Sequence, residues 1–229
     1  MGISLRLQKV AALVEVCDCV ADIGTDHGYL PIYLVKNNIC KSVIASDINK
    51  GPVEKARLNI SMENMESKIE CRLGGGFSIL SHFEVDAAVI AGMGGNLIRD
   101  IIEEGIEVFK ELKFVVLQPV QNPDILRKYI YEKGYKIIDE DLCIEDNKYY
   151  EIIKITYDEK PKIKSNIYYE ISEILLEKKH PLIEEYIIYK IEKYSKIFNS
   201  INEKTNNSEC RKKEIKSKIS DLKELLACL

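Results

Sequence analysis

The chain has 229 residues, 46% of them hydrophobic, with 33 Lys and Arg against 37 Asp and Glu and a formal net charge of −4. That length allows one domain or a domain with an appendage, and the hydrophobic content is too high for a disordered polymer. The acidic total excludes a strongly basic nucleic-acid binder, although a total says nothing of how charge is distributed.

From the amino terminus, an amphipathic helix is expected over Ser4–Val16 and a first strand over Cys19–Ile23. Helix Leu30–Asn37, strand Ser42–Ser46, helix Pro52–Asn64 and strand Ile69–Leu73 follow. Next come strand Asp86–Ala91, helix Gly95–Glu104, strand Phe114–Leu117 and helix Asp124–Lys133. Continuous apolar runs such as Ala-Ala-Val-Ile-Ala and Phe-Val-Val-Leu suit strands buried on both faces of a parallel sheet. Pro52 and Pro123 fall where helices should start, where a missing N–H does no harm, and Gly134 stands where a C-cap is expected. Strands Tyr135–Ile138 and Glu151–Thr156 lie close enough in sequence to form an antiparallel hairpin at a sheet edge. Strand–helix alternation of this kind reads as a doubly wound α/β domain over residues 1–157.

After Tyr157 the character changes. Asp-Glu-Lys-Pro-Lys-Ile-Lys is a charged hinge, and the rest, to residue 229, is helical in pattern and free of glycine. Ile183, Ile187, Ile191, Tyr194, Phe198 and Ile201 recur at helical spacing, as do Ile215, Ile219, Leu222, Leu226 and Leu229. Two helices, from Pro181 and from Cys210, separated by a polar break over Asn199–Glu209, are expected to pair as an antiparallel hairpin. Such a hairpin is either a packed helical cap or a projecting coiled-coil arm.

The longest uncharged apolar stretch, Ala87–Ile98, is well short of the roughly 20 residues that a membrane-spanning helix needs. Arg6 and Lys9 interrupt the only early apolar run, so no signal peptide is expected, and Arg6 stands where a myristoylation signal needs Ser or Thr, so no membrane partner is expected. Seven cysteines, with one C-x-C pair at Cys17 and Cys19 and no His cluster nearby, do not make a disulfide framework or a metal site. Reduced thiols in a cytoplasmic protein are the expectation.

The chemistry concentrates in the turns that follow strands. The first strand ends in Ala21-Asp22-Ile23-Gly24-Thr25-Asp26-His27-Gly28-Tyr29-Leu30-Pro31, a glycine turn of the kind at which α/β sheets bind nucleotide-like cofactors. Asp47 closes the second strand 25 residues after Asp22, a spacing suited to hydrogen-bonding ribose hydroxyls. The dinucleotide pattern G-x-G-x-x-G is absent, because Asp26 stands where its second glycine should be. Pyrophosphate needs bare backbone N–H groups and would be repelled by Asp22 and Asp26. S-adenosylmethionine has no phosphate and carries a sulfonium and an ammonium, so these residues favour it over NAD. The alternative is an ordinary strand–helix turn with a capping aspartate. Leu73-Gly74-Gly75-Gly76-Phe77 follows the third strand, Ala91-Gly92-Met93-Gly94-Gly95 the fourth and Leu117-Gln118-Pro119 the fifth. All lie on the rim where open α/β sheets hold their ligands.

Ala-Asp-Ile-Gly-Thr-Asp-His-Gly-Tyr-Leu-Pro, Ala-Ser-Asp-Ile-Asn-Lys-Gly-Pro, Ala-Gly-Met-Gly-Gly and Leu-Gln-Pro together resemble the TrmK family, the bacterial tRNA (adenine(22)-N1)-methyltransferases. The resemblance covers nearly the whole chain. It implies a class I, Rossmann-like, seven-stranded methyltransferase domain with a C-terminal coiled-coil hairpin over 158–229, S-adenosylmethionine as cofactor and tRNA as partner. By this resemblance Asp22, Gly24, Thr25, Asp26, His27 and Gly28 surround the methionine part, Asp47 the ribose, and Ile48 and Asn49 the adenine. Gly74 and Gly75 match the loop after the third strand. Gly92, Met93, Gly94, Gln118, Pro119 and Asp26 are the expected catalytic face, Gly92 and Met93 being expected to touch the cofactor as well, with His27 as either a pocket-shaping residue or a plain helix start. One departure is Val120, where the family commonly has Asn; Asn122 comes two residues later.

Adenine N1 has a lone pair and no proton, so methyl transfer to it needs alignment rather than a general base. The Gly92–Gly95 backbone and Gln118 are expected to accept hydrogen bonds from the N6 amino group. Charge divides unevenly: 18 basic and 24 acidic residues up to Tyr157, and 15 basic and 13 acidic after it. Arg6, Arg211, Lys212 and Lys213 are the candidate RNA contacts, with Lys216, Lys218, Lys160, Lys162 and Lys164 nearby; a solvated helix face explains the same clusters. The competing functions are a methyltransferase for another RNA, a protein or a small molecule, and a cofactor-binding interaction protein without catalysis.

Overall fold

A computed structural model describes residues 2–201 and 205–229. The chain divides into two compact units, Met1–Lys164 and Ser165–Leu229. In order, the first contains α1 (Leu5–Ala12), β1 (Cys17–Ile23), α2 (Tyr29–Lys36), β2 (Cys40–Asp47), α3 (Lys50–Met62), β3 (Ile69–Leu73) and a 3₁₀ turn at Gly76–Ile79. It continues with β4 (Ala87–Gly94), α4 (Gly95–Glu104), α5 (Ile106–Phe109), β5 (Phe114–Gln121), α6 (Pro123–Glu132), β6 (Tyr135–Glu145) and β7 (Lys148–Tyr157). The second contains α7 (Asn166–Glu170), α8 (Glu173–Glu177), α9 (Ile183–Ser200) and α10 (Asn206–Ala227).

The seven strands form one sheet in the order β3-β2-β1-β4-β5-β7-β6, parallel except for β7, which pairs antiparallel with both β5 and β6. Alternate residues of the buried strands serve two cores. Val20, Val43, Val89 and Val116 pack with Val10, Leu34 and Ile60 from α1–α3. Ile98, Ile102, Leu126 and Ile130 of α4 and α6 are buried on their own helices, which pack against β4, β5 and β6. Because β2 lies on one side of β1 and β4 on the other, the chain changes direction across the sheet between β1 and β4. That change opens a crevice at the carboxyl ends of these two strands.

The edge hairpin is longer than its apolar residues imply. β6 runs on through Asp139, Glu140 and Asp141 because Glu140 is buried against Arg127 of α6, whose Nη2 donates to Glu140 Oε1 at 2.6 Å and to Glu151 Oε2 at 2.5 Å. The expected hinge is held to the first unit: the Lys162 N–H donates to the Tyr131 carbonyl at 2.8 Å, and that of Asp158 to the Gly134 carbonyl at 3.1 Å. Gly134 has φ +83° and lies so close to Lys160 that a side chain there would crowd the crossing backbone.

In the second unit α9 and α10 pack on each other as a hairpin. α10 begins at Asn206, four residues before the expected Cys210, because Thr205 and Ser208 cap each other's backbone N–H groups. Only part of the expected break is non-helical, and its residues 202–204 lie outside the described residues. Glu170 is buried among Lys190, Tyr194 and Lys218. Among the described residues no helix is long and apolar enough to cross a membrane, and all seven cysteines are free.

Candidate cofactor site

A cavity of about 400 Å³ opens at the β1/β4 crevice. Of the residues expected around a cofactor, Asp22, Gly24, Thr25, Asp26, Asp47, Gly92 and Met93 line it. Gly24 turns the chain out of β1 with φ +80°, a conformation costly for any other residue. The N–H groups of Gly24 and Thr25 both donate to the Ser46 carbonyl, at 2.8 and 2.7 Å, which fixes the turn to β2. A Cβ on Gly24 would collide with the Met93 Cε methyl, so the turn accepts no side chain while Met93 lies across it.

The electrostatics of the cavity are acidic. Asp22 is 5% exposed, and burial pushes its carboxyl up to about 6, with the Asp26 and Asp47 carboxylates adding to the rise. The nearby Thr25 hydroxyl moderates that rise but makes no hydrogen bond of normal geometry among the described residues. Such an atom carries a desolvation cost that a bound polar ligand removes. Asp47 receives the Asn49 N–H at Oδ1 (2.7 Å), and its Oδ2 makes no hydrogen bond among the described residues. A cationic, phosphate-free ligand with ribose hydroxyls fits this set: the cation offsets the buried Asp22, and the hydroxyls have Asp47 Oδ2 to donate to.

Beyond Ala91 the β4–β5 pairing is bulged, and Gly92 takes φ +78°. Bulges at strand ends redirect the backbone. The Gly92 N–H donates instead to Gln118 Oε1 at 3.1 Å, and Arg6 Nη1 donates to the same oxygen at 2.5 Å. Gln118 Nε2 donates to the Pro119 carbonyl at 2.9 Å. Gln118 was expected to meet the target base, yet it is fully buried and both ends of its amide are engaged. Its geometry gives it a bracing role for the Gly92 loop. Pro119 is buried beside it, Val120 is 44% exposed, and Asn122 takes φ +53° just before α6. Gly95 is pressed against the Asn122 carbonyl, where a side chain has no room.

The other expected residues flank the cavity. Ile48 lies against Gly75, and the Gly74 N–H donates to the Asp47 carbonyl at 2.9 Å, which joins the loops after β2 and β3 in one rim. Gly28 (φ +70°) caps α2 and packs its backbone on Ala56 of α3. The His27 ring stacks on Tyr29 at 5.4 Å and its Nε2 lies 3.2 Å from Asp26 Oδ1. Leu7, Leu30, Pro52 and Ala91 also line the cavity; the last three lie within the motifs that follow the strands, whereas Leu7, an apolar residue of α1, carried no sequence signal.

Of the basic residues, Arg6 lines the cavity, whereas Arg211, Lys213 and Lys216 are exposed and make no ion pair among the described residues. Lys212 lies over the Phe198 ring, 5.8 Å from its centroid. Lys218 is turned inward onto Glu170 and Lys164 lies over the Tyr131 ring, which takes both out of the expected phosphate-facing cluster.

Residues 20–224 match the family model TrmK, described as tRNA (adenine(22)-N(1))-methyltransferase. The Bacillus subtilis tRNA (adenine(22)-N(1))-methyltransferase is 37% identical over 153 residues, which span 67% of this chain and 64% of that enzyme. Over the whole fold, the crystal structure of the B. subtilis m1A22 tRNA methyltransferase TrmK superposes with a TM-score of 0.88 at 29% identity, covering 98% of this chain and 99% of that one. Streptococcus pneumoniae Sp1610 in complex with S-adenosyl-L-methionine superposes with a TM-score of 0.86 at 30% identity, covering 98% and 100%.

Proposed function

The chain belongs to the TrmK family of tRNA (adenine(22)-N(1))-methyltransferases, and we propose that it methylates N1 of adenosine 22 in tRNA, in the cytoplasm, using S-adenosylmethionine. The observation that carries this reading is the acidic cavity at the β1/β4 crevice, where a buried carboxylate and an unsatisfied hydroxyl await a cationic ligand.

S-adenosylmethionine, when bound, supplies an electrophilic methyl group; N1 donates its lone pair to that carbon, the sulfur keeps the electron pair of the broken bond, and the base becomes a cation. The protein's residues need not remove a proton beforehand. Asp22 offsets the positive end of the cofactor, and Asp47 accepts hydrogen bonds from the ribose hydroxyls. Ile48, Asn49, Gly74 and Gly75 form the adenine side of the rim, where the closeness of glycine backbone admits a flat ring. The Gly92–Gly94 backbone, braced by Gln118, presents acceptors to the N6 amino group and holds N1 in line with the methyl carbon. Asp26, largely exposed at the mouth, favours the cation that develops on the base. The target adenine has to leave its stack, at a cost of a few kcal/mol.

Incubation with unmodified tRNA and S-adenosylmethionine, followed by nuclease digestion and mass spectrometry, should yield 1-methyladenosine at position 22. Cofactor binding without that product would move the reading to another substrate or to a non-catalytic binder.

A further inference from the structure

The last two residues of β5 leave the core. The strand is buried from Phe114 to Pro119 and exposed at Val120 and Gln121. The residues on either side of Val120 pair with the cavity loop, Pro119 with Met93 and Gln121 with Gly94. Two helices start at the same place, since Gly95, the first residue of α4, abuts the carbonyls of Gln121 and Asn122 that lead into α6. Each helix carries a half-exposed apolar side chain in its first turn, Leu97 in α4 and Ile125 in α6. The next residue in each, Ile98 and Leu126, is fully buried, so the helices dock without Leu97 or Ile125. With Val120 these two make an apolar lip on the carboxyl rim of the sheet, next to the cavity loop. The backbone under the lip is stiff: Asn122 takes φ +53°, Pro123 fixes the φ that follows, and the Leu126 N–H donates to the Asn122 carbonyl at 3.2 Å. Apolar side chains exposed singly are ordinary on a protein surface, whereas three at one rim beside a reaction cavity point to something that covers them.

The reaction says what that is. N1 lies on the edge of adenine that pairs with another base, so the target must leave its stack before it reaches the cofactor. The gap left behind exposes the faces of the flanking bases, and the work of extrusion has to be offset. The cavity does not offset it by stacking, because no aromatic side chain lines it among the described residues, and the His27 and Tyr29 rings are stacked on each other. We propose that the lip is a wedge: Val120, with Leu97 and Ile125, enters the tRNA stack where adenosine 22 leaves it and packs on the bases that flank the gap. Apolar side chains inserted between base steps act in this way. A stable protein partner would bury roughly 800 Å² on this side, which three side chains do not supply. The proposal rests on the tRNA reading above and adds to it residues that lie outside the cofactor cavity.

The test uses the full chain with S-adenosylhomocysteine and an unmodified tRNA that carries 2-aminopurine, which fluoresces when unstacked, in place of adenosine 22. The native protein should raise the fluorescence on binding. Val120→Ala should give a smaller rise, with its melting temperature and its Kd for S-adenosylmethionine as in the native protein. Val120→Leu, which keeps an apolar body, should restore the rise. In methylation assays Val120→Ala should lower kcat/KM on tRNA by about tenfold, and Leu97→Ala or Ile125→Ala by less. The loss should nearly vanish on a tRNA altered so that adenosine 22 has no base to pair with, because less extrusion work remains. A loss of equal size on both tRNAs would overturn the proposal in favour of a structural role, and so would a native protein that leaves the fluorescence unchanged. Fluorescence and kinetics unmoved by all three alanine substitutions would overturn it as well; dissociation of a native dimer by the same substitutions would then assign the lip to a second copy of the chain. A native protein that binds S-adenosylmethionine yet methylates neither tRNA would instead overturn the tRNA reading.

Discussion

Met93 lays its terminal methyl across Gly24, so the turn after β1 and the loop after β4 touch at the floor of the cavity. The contact depends on Gly24 having no side chain and a φ of +80°. Gly24→Ala therefore has two costs, a backbone conformation that alanine resists and a Cβ in the space of Met93. We expect a stability loss of about 1–3 kcal/mol and at least tenfold weaker cofactor binding. Thermal unfolding and titration with S-adenosylmethionine measure the two. Pairing it with Met93→Ala should return some binding, because the collision is gone while the φ strain remains.

Asp22 is a carboxylate kept at a cost to the fold. Its native pKa of about 6 lies above the ordinary 3.8, so the folded protein holds the proton more tightly than the unfolded chain. Stability of the ligand-free protein should fall as pH rises from about 4 to 6 and then level off, a penalty of about 3 kcal/mol by the linkage relation. Asp22→Asn should raise the melting temperature of the ligand-free protein at pH 7, with the gain vanishing below pH 4. The same variant should bind S-adenosylmethionine poorly. In the native protein the affinity should drop below pH 6, as Asp22 takes up its proton, and this dependence should be absent from Asp22→Asn.

Asp47 differs in being half-exposed and in having Oδ2 to offer. Asp47→Ala should weaken S-adenosylmethionine by about tenfold or more with little change in melting temperature. Unchanged affinity would contradict the ribose role.

The parallel strands were readable because burial on both faces leaves near-continuous apolar runs, as in Ala87–Ile90 and Phe114–Leu117. The edge hairpin was readable only in part. Glu140 looks like a strand end in the sequence, and its partner Arg127 is supplied by a helix 13 residues away. The start of α10 was missed because Ser208 occupies the capping-box position that Glu or Gln usually fills. In the site, the aspartates announced themselves by standing at or just beyond the carboxyl ends of strands. The place of Arg6 did not, since its bond to Gln118 spans 112 residues and no local pattern records it. For the same reason the sequence offered Gln118 as a free amide, whereas the fold spends that amide on Gly92.

Glu170 is the charged centre of the helical unit. Burial alone would raise its pKa, but Lys190, Lys218 and Tyr194 overcome that and hold it at about 2, below the ordinary 4.5. The native state thus gains stability from the ionised form, present in full above about pH 4.5 and lost as pH falls toward 2, about 3 kcal/mol in total. Glu170→Gln should remove that acid dependence. It should also remove the charge that Glu170 sets against Lys190 and Lys218, and so lower the stability of the helical unit at pH 7. Circular dichroism across pH 2–5 for both proteins separates this group from the other carboxylates.

The acidic excess lies before Tyr157 and the basic excess after it. With Lys218 turned inward on Glu170, the exposed basic residues of α10 are Arg211, Lys213, Lys216 and Lys223, the first three within two turns. Exposed cations without acidic partners are suited to phosphate, and each contact releases counterions on binding. Replacing the first three by alanine should weaken tRNA by a factor that shrinks as salt is raised, and should reduce the slope of log affinity against log salt by roughly 2–3. Cofactor affinity should not change, because these residues lie outside the first unit. Filter binding over a range of salt concentrations decides the matter: an unaltered slope means that these side chains form only a solvated helix face, and that tRNA is gripped elsewhere.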